Sequence, residues 1–126
     1  MRTATGFAGV AAAALLALAG CGNLPIGTDC TTDVRPALSV QLRDARTGAA
    51  LCAPATAVAR DGTFADSVEV WAGESSARLA QERPGVYDVT VRKAGYREWK
   101  RTGVRVRDGE CHVRTVVLVA ELEPAA

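Results

Sequence analysis

Histidine occurs once in the 126 residues, at position 112, and aromatic side chains make up only 5% of the chain. A lone histidine beside Cys111 leaves little for nucleophile-and-base chemistry, because neighbours on a strand point to opposite faces. The sequence also lacks Gly-x-Ser-x-Gly, His-Glu-x-x-His, a phosphate-binding glycine loop and a calcium loop. Its histidine, cysteines and acidic residues are too scattered to converge as the three or four ligands zinc requires. No catalytic residue, no metal site and no cofactor are therefore expected. An excess of charge is missing too: fifteen basic residues stand against fourteen acidic ones. Nothing recommends a nucleic-acid partner. Finally, the longest apolar run, Phe7 to Ala19, has 13 residues, too few to cross a hydrocarbon core of roughly 30 Å at about 1.5 Å per residue.

That short run is informative in another way. Arg2 precedes it, no acidic residue occurs before Asp29, and small residues close it at Ala19 and Gly20. This is the pattern of a secretory signal, which targets the chain and is then removed. The run ends in Leu18-Ala19-Gly20-Cys21, which resembles the lipobox of bacterial lipoproteins. The resemblance implies diacylglycerol on the Cys21 thiol, cleavage at its amino side, and anchoring of the mature protein on a membrane by its acyl chains. It also implies a cell-envelope location outside the cytoplasm, at the outer membrane where the envelope has two membranes, because Gly22 rather than Asp follows the cysteine. Removal of Arg2 with the signal leaves fourteen basic and fourteen acidic side chains.

Residues 21–36 hold glycines, prolines and threonines without period and read as a lipidated cysteine and tether. From there the chain alternates. Leu38, Val40 and Leu42 interleave with Ser39, Gln41 and Arg43, as expected of a strand with one buried face, and Asp44 to Gly48 forms a turn. A second strand runs about Ala55 to Arg60 and ends at the turn pair Asp61-Gly62. Val68, Val70 and Trp71 mark a third. Glu74 to Glu82 has no clean period and fits a surface loop, a short helical turn or an edge strand. After Pro84-Gly85, Tyr87, Val89 and Val91 alternate again. Val104 to Arg107, the turn Asp108-Gly109 and a last strand from about Cys111 to Leu122 complete the series, followed by a short tail, 123–126. Six to seven short strands at regular spacing predict an all-β domain over 37–122, an antiparallel Greek-key sandwich.

Three pieces of this domain resemble the carboxypeptidase regulatory-like domains, seven-stranded sandwiches of transthyretin-like topology. They are the first strand with its turn, Leu38 to Gly48; the centre, in which Gly85, Tyr87, Val89 and Val91 precede Lys93, Gly95 and Tyr96; and the ending Glu110-Cys111-His112-Val113. Such domains accompany peptidases and surface proteins without performing their chemistry, so the resemblance implies no activity.

With Cys21 assigned to lipid, Cys30, Cys52 and Cys111 remain in a compartment where disulfides persist. An odd count implies one pair and one cysteine left over. The resemblance implies Cys30 with Cys111; Cys52 with Cys111 is the alternative. Trp71 and Trp99 are candidate ligand contacts, either as a sugar-stacking platform or, for at least one of them, as a cover over the core. The basic residues Arg92, Lys93, Arg97, Lys100, Arg101, Arg105, Arg107 and Arg114 crowd the last third of the chain and are interleaved with Glu98, Asp108 and Glu110. A solvated strand face accounts for them, and a contact surface for anionic headgroups or cell-wall polymer is the sharper reading. The expected function is a non-enzymatic, membrane-anchored binding or structural module whose partner is an envelope protein or a cell-wall polymer. The alternative is an accessory or inhibitor lipoprotein that docks on an envelope hydrolase.

Overall fold

A computed structural model describes residues 30–125. The signal sequence, Cys21 and most of the tether read from the sequence lie outside the described residues. Among the described residues seven strands form: β1 (Pro36–Asp44), β2 (Thr56–Asp61), β3 (Phe64–Glu69), β4 (Ser76–Gln81), β5 (Gly85–Arg92), β6 (Trp99–Val106) and β7 (Val116–Leu122). They divide into a three-stranded sheet, ordered β4-β1-β7, and a four-stranded sheet, ordered β3-β2-β5-β6. The two sheets form a β-sandwich in which antiparallel pairs predominate, as the turn spacing implies. One pair, β1 with β7, is parallel, with Leu38 opposite Val116 and Leu42 opposite Ala120.

Alternation puts the core where the sequence placed it. Leu38, Val40 and Leu42 of β1 are fully buried, as are Tyr87, Val89 and Val91 of β5. Across each sheet, side chains opposite one another share a face. Leu38 therefore lies beside Leu79 and Val116 on the inner surface of one sheet, while Val68, Ala57, Val91 and Trp99 form a row across the other. The interior is mainly aliphatic, with Tyr87 the one buried aromatic ring among the described residues. Its hydroxyl does not go unsatisfied, since Tyr87 Oη donates to the Arg83 carbonyl (2.5 Å) and accepts from the Arg83 guanidinium (3.1 Å). That guanidinium also lies 4.0 Å from the Phe64 ring centroid and binds Asp61. The Asp61 carboxylate in turn occupies the space a Cβ would need at position 85, which is why glycine opens β5.

Four elements differ in extent from their sequence expectation. Glu74 to Glu82 contains an edge strand, β4, whose period is broken because Leu79 and Ala80 are both buried. Ala80 has φ +58°, a left-handed conformation uncommon outside glycine, asparagine and aspartate, and its N–H donates to the Asp66 carboxylate at 2.8 Å. The third strand starts earlier, at Phe64, and ends before Trp71. β6 begins at Trp99 rather than near Val104, and its register against β5 shifts between Tyr87 and Val89. Gly103, at φ +67°, sits in that irregular stretch, where its N–H is taken by Asp88. β7 starts only at Val116, and the expected tail pairs with the chain before β6, through Arg97 N to Glu123 O and Ala125 N to Gly95 O.

Leu38 lies on a strand paired on both sides and is fully buried, whereas Val117, on the outer surface of an edge strand, is 57% exposed. Leu38→Ala should lower unfolding free energy by about 2–5 kcal/mol, and Val117→Ala should stay within about 0.5 kcal/mol. Urea unfolding of the two variants checks this ranking.

Candidate functional site

The strands run between two poles. At one lie residues 30–35, the β4–β5 turn and the loop 107–115; at the other lie the loops after β1, β3 and β5 together with 123–125. The sequence-derived site residues separate between them.

Cys30 and Cys111 form a disulfide at the first pole, with Cα atoms 5.1 Å apart. His112, beside it, is held on both ring nitrogens: Nδ1 is 2.5 Å from Glu82 Oε2 and Nε2 is 2.9 Å from Thr31 Oγ1. Asp33 Oδ1 stands 4.0 Å from Nε2. Hydroxyl, imidazole and carboxylate thus follow one another in the order found in Ser-His-acid hydrolases. The remaining bonds give this cluster a different character. Hydrogen bonding to Thr31 and Arg35 holds the Asp33 carboxyl down at about 2. Glu82 is equally engaged, since its carboxylate also accepts the N–H groups of Arg35 (3.0 Å) and Val113 (3.2 Å). Glu82 adopts φ +50°, which aims its side chain at the segment before β1 and at the loop before β7 together. What this arrangement does chemically is bind three chain segments to one another.

Neither Thr31 nor Glu82 stood out in the sequence as a partner of His112. Thr31 falls in the stretch read as a tether, and Glu82 ends a stretch with no period. Among the described residues no group of three or more His, Cys, Asp or Glu is arranged to hold a metal ion.

The second pole carries Cys52 and Trp71. Cys52 is exposed and unpaired, so the pair formed is Cys30–Cys111 rather than Cys52–Cys111. Lys93 secures the Cys52 loop by donating to the carbonyls of Cys52 (2.7 Å) and Pro54 (3.1 Å). Tyr96 donates to Asp44 at 2.8 Å, a bond that lowers the Asp44 carboxyl and raises the Tyr96 phenol from their ordinary values. Trp71 is 77% exposed. It begins a tight turn closed by Glu74 N to Trp71 O at 3.0 Å, and Gly73 supplies the positive φ, +86°, required at its third position.

Trp99 does not join Trp71. It is half-buried against the core at the start of β6, with the Arg101 guanidinium over its ring at 5.2 Å. β3 and β6 are opposite edges of the four-stranded sheet, so a platform of two tryptophans is not formed. The basic residues are likewise dispersed: Arg92 pairs with Glu98, Lys93 holds carbonyls, and Lys100, Arg101 and Arg105 decorate edge strand β6. Charge on an edge strand discourages pairing with another chain.

The chain matches no protein-family model and no curated protein.

Two predictions arise from the first pole. Losing the bridge through Cys30→Ser and Cys111→Ser together should cost about 2–5 kcal/mol, while Cys52→Ser should change stability by less than about 0.5 kcal/mol; non-reducing peptide mapping should recover the Cys30–Cys111 peptide. The second concerns acid. His112 lowers the Glu82 carboxyl, chiefly by hydrogen bonding, as Thr31 lowers that of Asp33. A carboxyl depressed by folding binds fewer protons in the native state, so its contribution is complete above the ordinary value, 3.8 for Asp33 and 4.5 for Glu82, and disappears as pH falls through the folded value, about 2 for Asp33. Urea midpoints should fall across that window, and Asp33→Asn should flatten its lower part.

Proposed function

We propose that the protein is a non-catalytic, lipid-anchored module of the bacterial cell envelope, related to the carboxypeptidase regulatory-like domains, that binds an envelope component at a distance from its anchor. The observation that carries the reading is Leu18-Ala19-Gly20-Cys21 standing at the end of a short apolar run, in the register of a lipobox. Acyl chains on Cys21 would hold the mature chain on a membrane, each buried methylene contributing about 0.8 kcal/mol. From Cys21 to the disulfide at Cys30, an extended tether reaches at most about 30 Å.

The arrangement at the first pole supports this reading. A tether needs a firm point of attachment, and the chain enters the domain through a disulfide, the Glu82–His112 contact and the Arg35 N–H to Glu82 bond in quick succession. The absence of activity is part of the proposal. It rests on the engagement of both Glu82 oxygens with backbone N–H groups.

The test is direct. The wild-type chain expressed in a bacterium should partition into the detergent phase of a cloud-point separation, and Cys21→Ser should move it to the aqueous phase. Mass spectrometry should find acyl chains on Cys21 as the first residue. A mature amino terminus with an unmodified Cys21 thiol would sink the anchor reading.

A further inference from the structure

We propose that Trp71 is the stacking platform of a saccharide-binding site at the pole opposite Cys30, and that its ligand is an uncharged segment of a glycan chain. That this pole faces away from the membrane rests on the anchor reading above; the chemistry of the site does not. The indole borders two concavities. One, about 560 Å³, is mainly apolar and lined by Val68, Val70 and Ala72 beside the ring, with Glu69 as its one charged residue. The other, about 290 Å³, is polar and brings Glu69, Glu74, Ser76 and Arg78 to it. A pyranose has the matching division: C–H groups on a ring face and hydroxyls around the rim. An aromatic surface takes the face, and carboxylates, a hydroxyl and a guanidinium take the rim.

The polar groups are free to do so. Among the described residues, neither Glu74 nor Arg78 enters an ion pair, although they share one concavity. Glu69 uses one oxygen, Oε2, to accept the Thr56 hydroxyl at 3.0 Å. Charges of both signs in so small a space select against a strongly charged ligand and suit a neutral one. The turn that presents Trp71 is closed by its own hydrogen bond and a glycine in the required conformation, so the ring is displayed in position.

Two other occupants fit less well. A protein anchor of this kind lies in a continuous apolar patch, yet among the described residues the other large exposed apolar side chains are Val34, Val86, Val117 and Val119, none of which lines either concavity. An anionic bilayer would meet the carboxylates of Glu69 and Glu74. It would also lie at the wrong end, because the nine residues of β1 separate the poles by roughly 30 Å.

The experiment uses the full lipidated chain in a polyoxyethylene detergent, which carries no sugar. Tryptophan fluorescence is titrated with N-acetylglucosamine tetramer and with cellotetraose, and the protein is co-sedimented with purified peptidoglycan sacculi. At least one probe should bind, the oligosaccharides with a dissociation constant on the order of 1 mM. Trp71→Ala should weaken binding about tenfold or more while leaving the thermal melt unchanged. Trp71→Tyr should keep part of the affinity and Trp99→Phe nearly all of it. Binding to none of the three probes overturns the proposal, as does a Trp71→Ala variant that binds like the wild type. So does Trp71-dependent adsorption to phosphatidylglycerol vesicles without any sugar binding. A detergent-partitioning protein that ignores sugars sinks the platform alone, whereas a sugar-binding protein with an unmodified Cys21 sinks the anchor and leaves the platform standing.

Discussion

The parallel pairing of β1 with β7 is the constraint from which the other features follow. These are the first and last strands of the domain, and their pairing places β1 in the centre of its sheet, where Leu38, Val40 and Leu42 are fully buried. Because the two strands run the same way, the segments preceding them emerge at the same pole. Cys30 precedes one and Cys111 the other, and their Cα atoms come within 5.1 Å. An antiparallel β7 would have sent Cys111 to the far end of β1, roughly 30 Å away, beyond any bridge. The His112 cluster depends on the same geometry. Thr31 and Asp33 come from the segment before β1 and His112 from that before β7, while Glu82 arrives from the end of β4, which is antiparallel to β1.

Much of the fold was legible wherever a strand alternates over at least its central residues. β1, β2 and β5 do so, and their alternation is plain in Leu38-Val40-Leu42, Ala57-Ala59 and Tyr87-Val89-Val91. Strands with a local irregularity were obscured. In β4 the left-handed Ala80 places two successive side chains in the core, which destroys the period of two. In β3 the inward position between Phe64 and Val68 is Asp66, a polar residue whose carboxylate accepts the Ala80 N–H; no pattern of apolar residues could announce it. The first half of β6 carries Lys100 to Gly103 exposed beside a register shift and therefore reads as loop.

The site was legible in part, and for a related reason. Trp71 and Trp99 stand out by their rarity, but only the strand order shows that they sit at opposite edges of one sheet. Composition cannot distinguish a tryptophan that covers a core from one set on a turn in solvent. The Thr31, Glu82 and His112 contacts join residues up to 81 positions apart, a proximity that no local spacing encodes. The three basic side chains on β6 are similar. Their density along the chain suggests a charged surface, while their place in the fold is an edge strand, where charge keeps the sheet from extending into a neighbour.

The disulfide also has a topological effect. It closes a covalent ring from Cys30 to Cys111 that contains β1 to β6 and leaves β7 outside. A protease that cuts once in any loop of the ring, the exposed 45–50 turn or the Trp71 turn included, linearises it without detaching a fragment, and the two ends remain covalently joined through sulfur. A single cut between His112 and Thr115 acts differently, freeing the last strand as a separate peptide held only by its ladder to β1 and its packing. In an environment that contains hydrolases, the durability of the domain is therefore concentrated in the few residues of that one connection. These are the residues that Glu82 grips through His112 and the Val113 N–H.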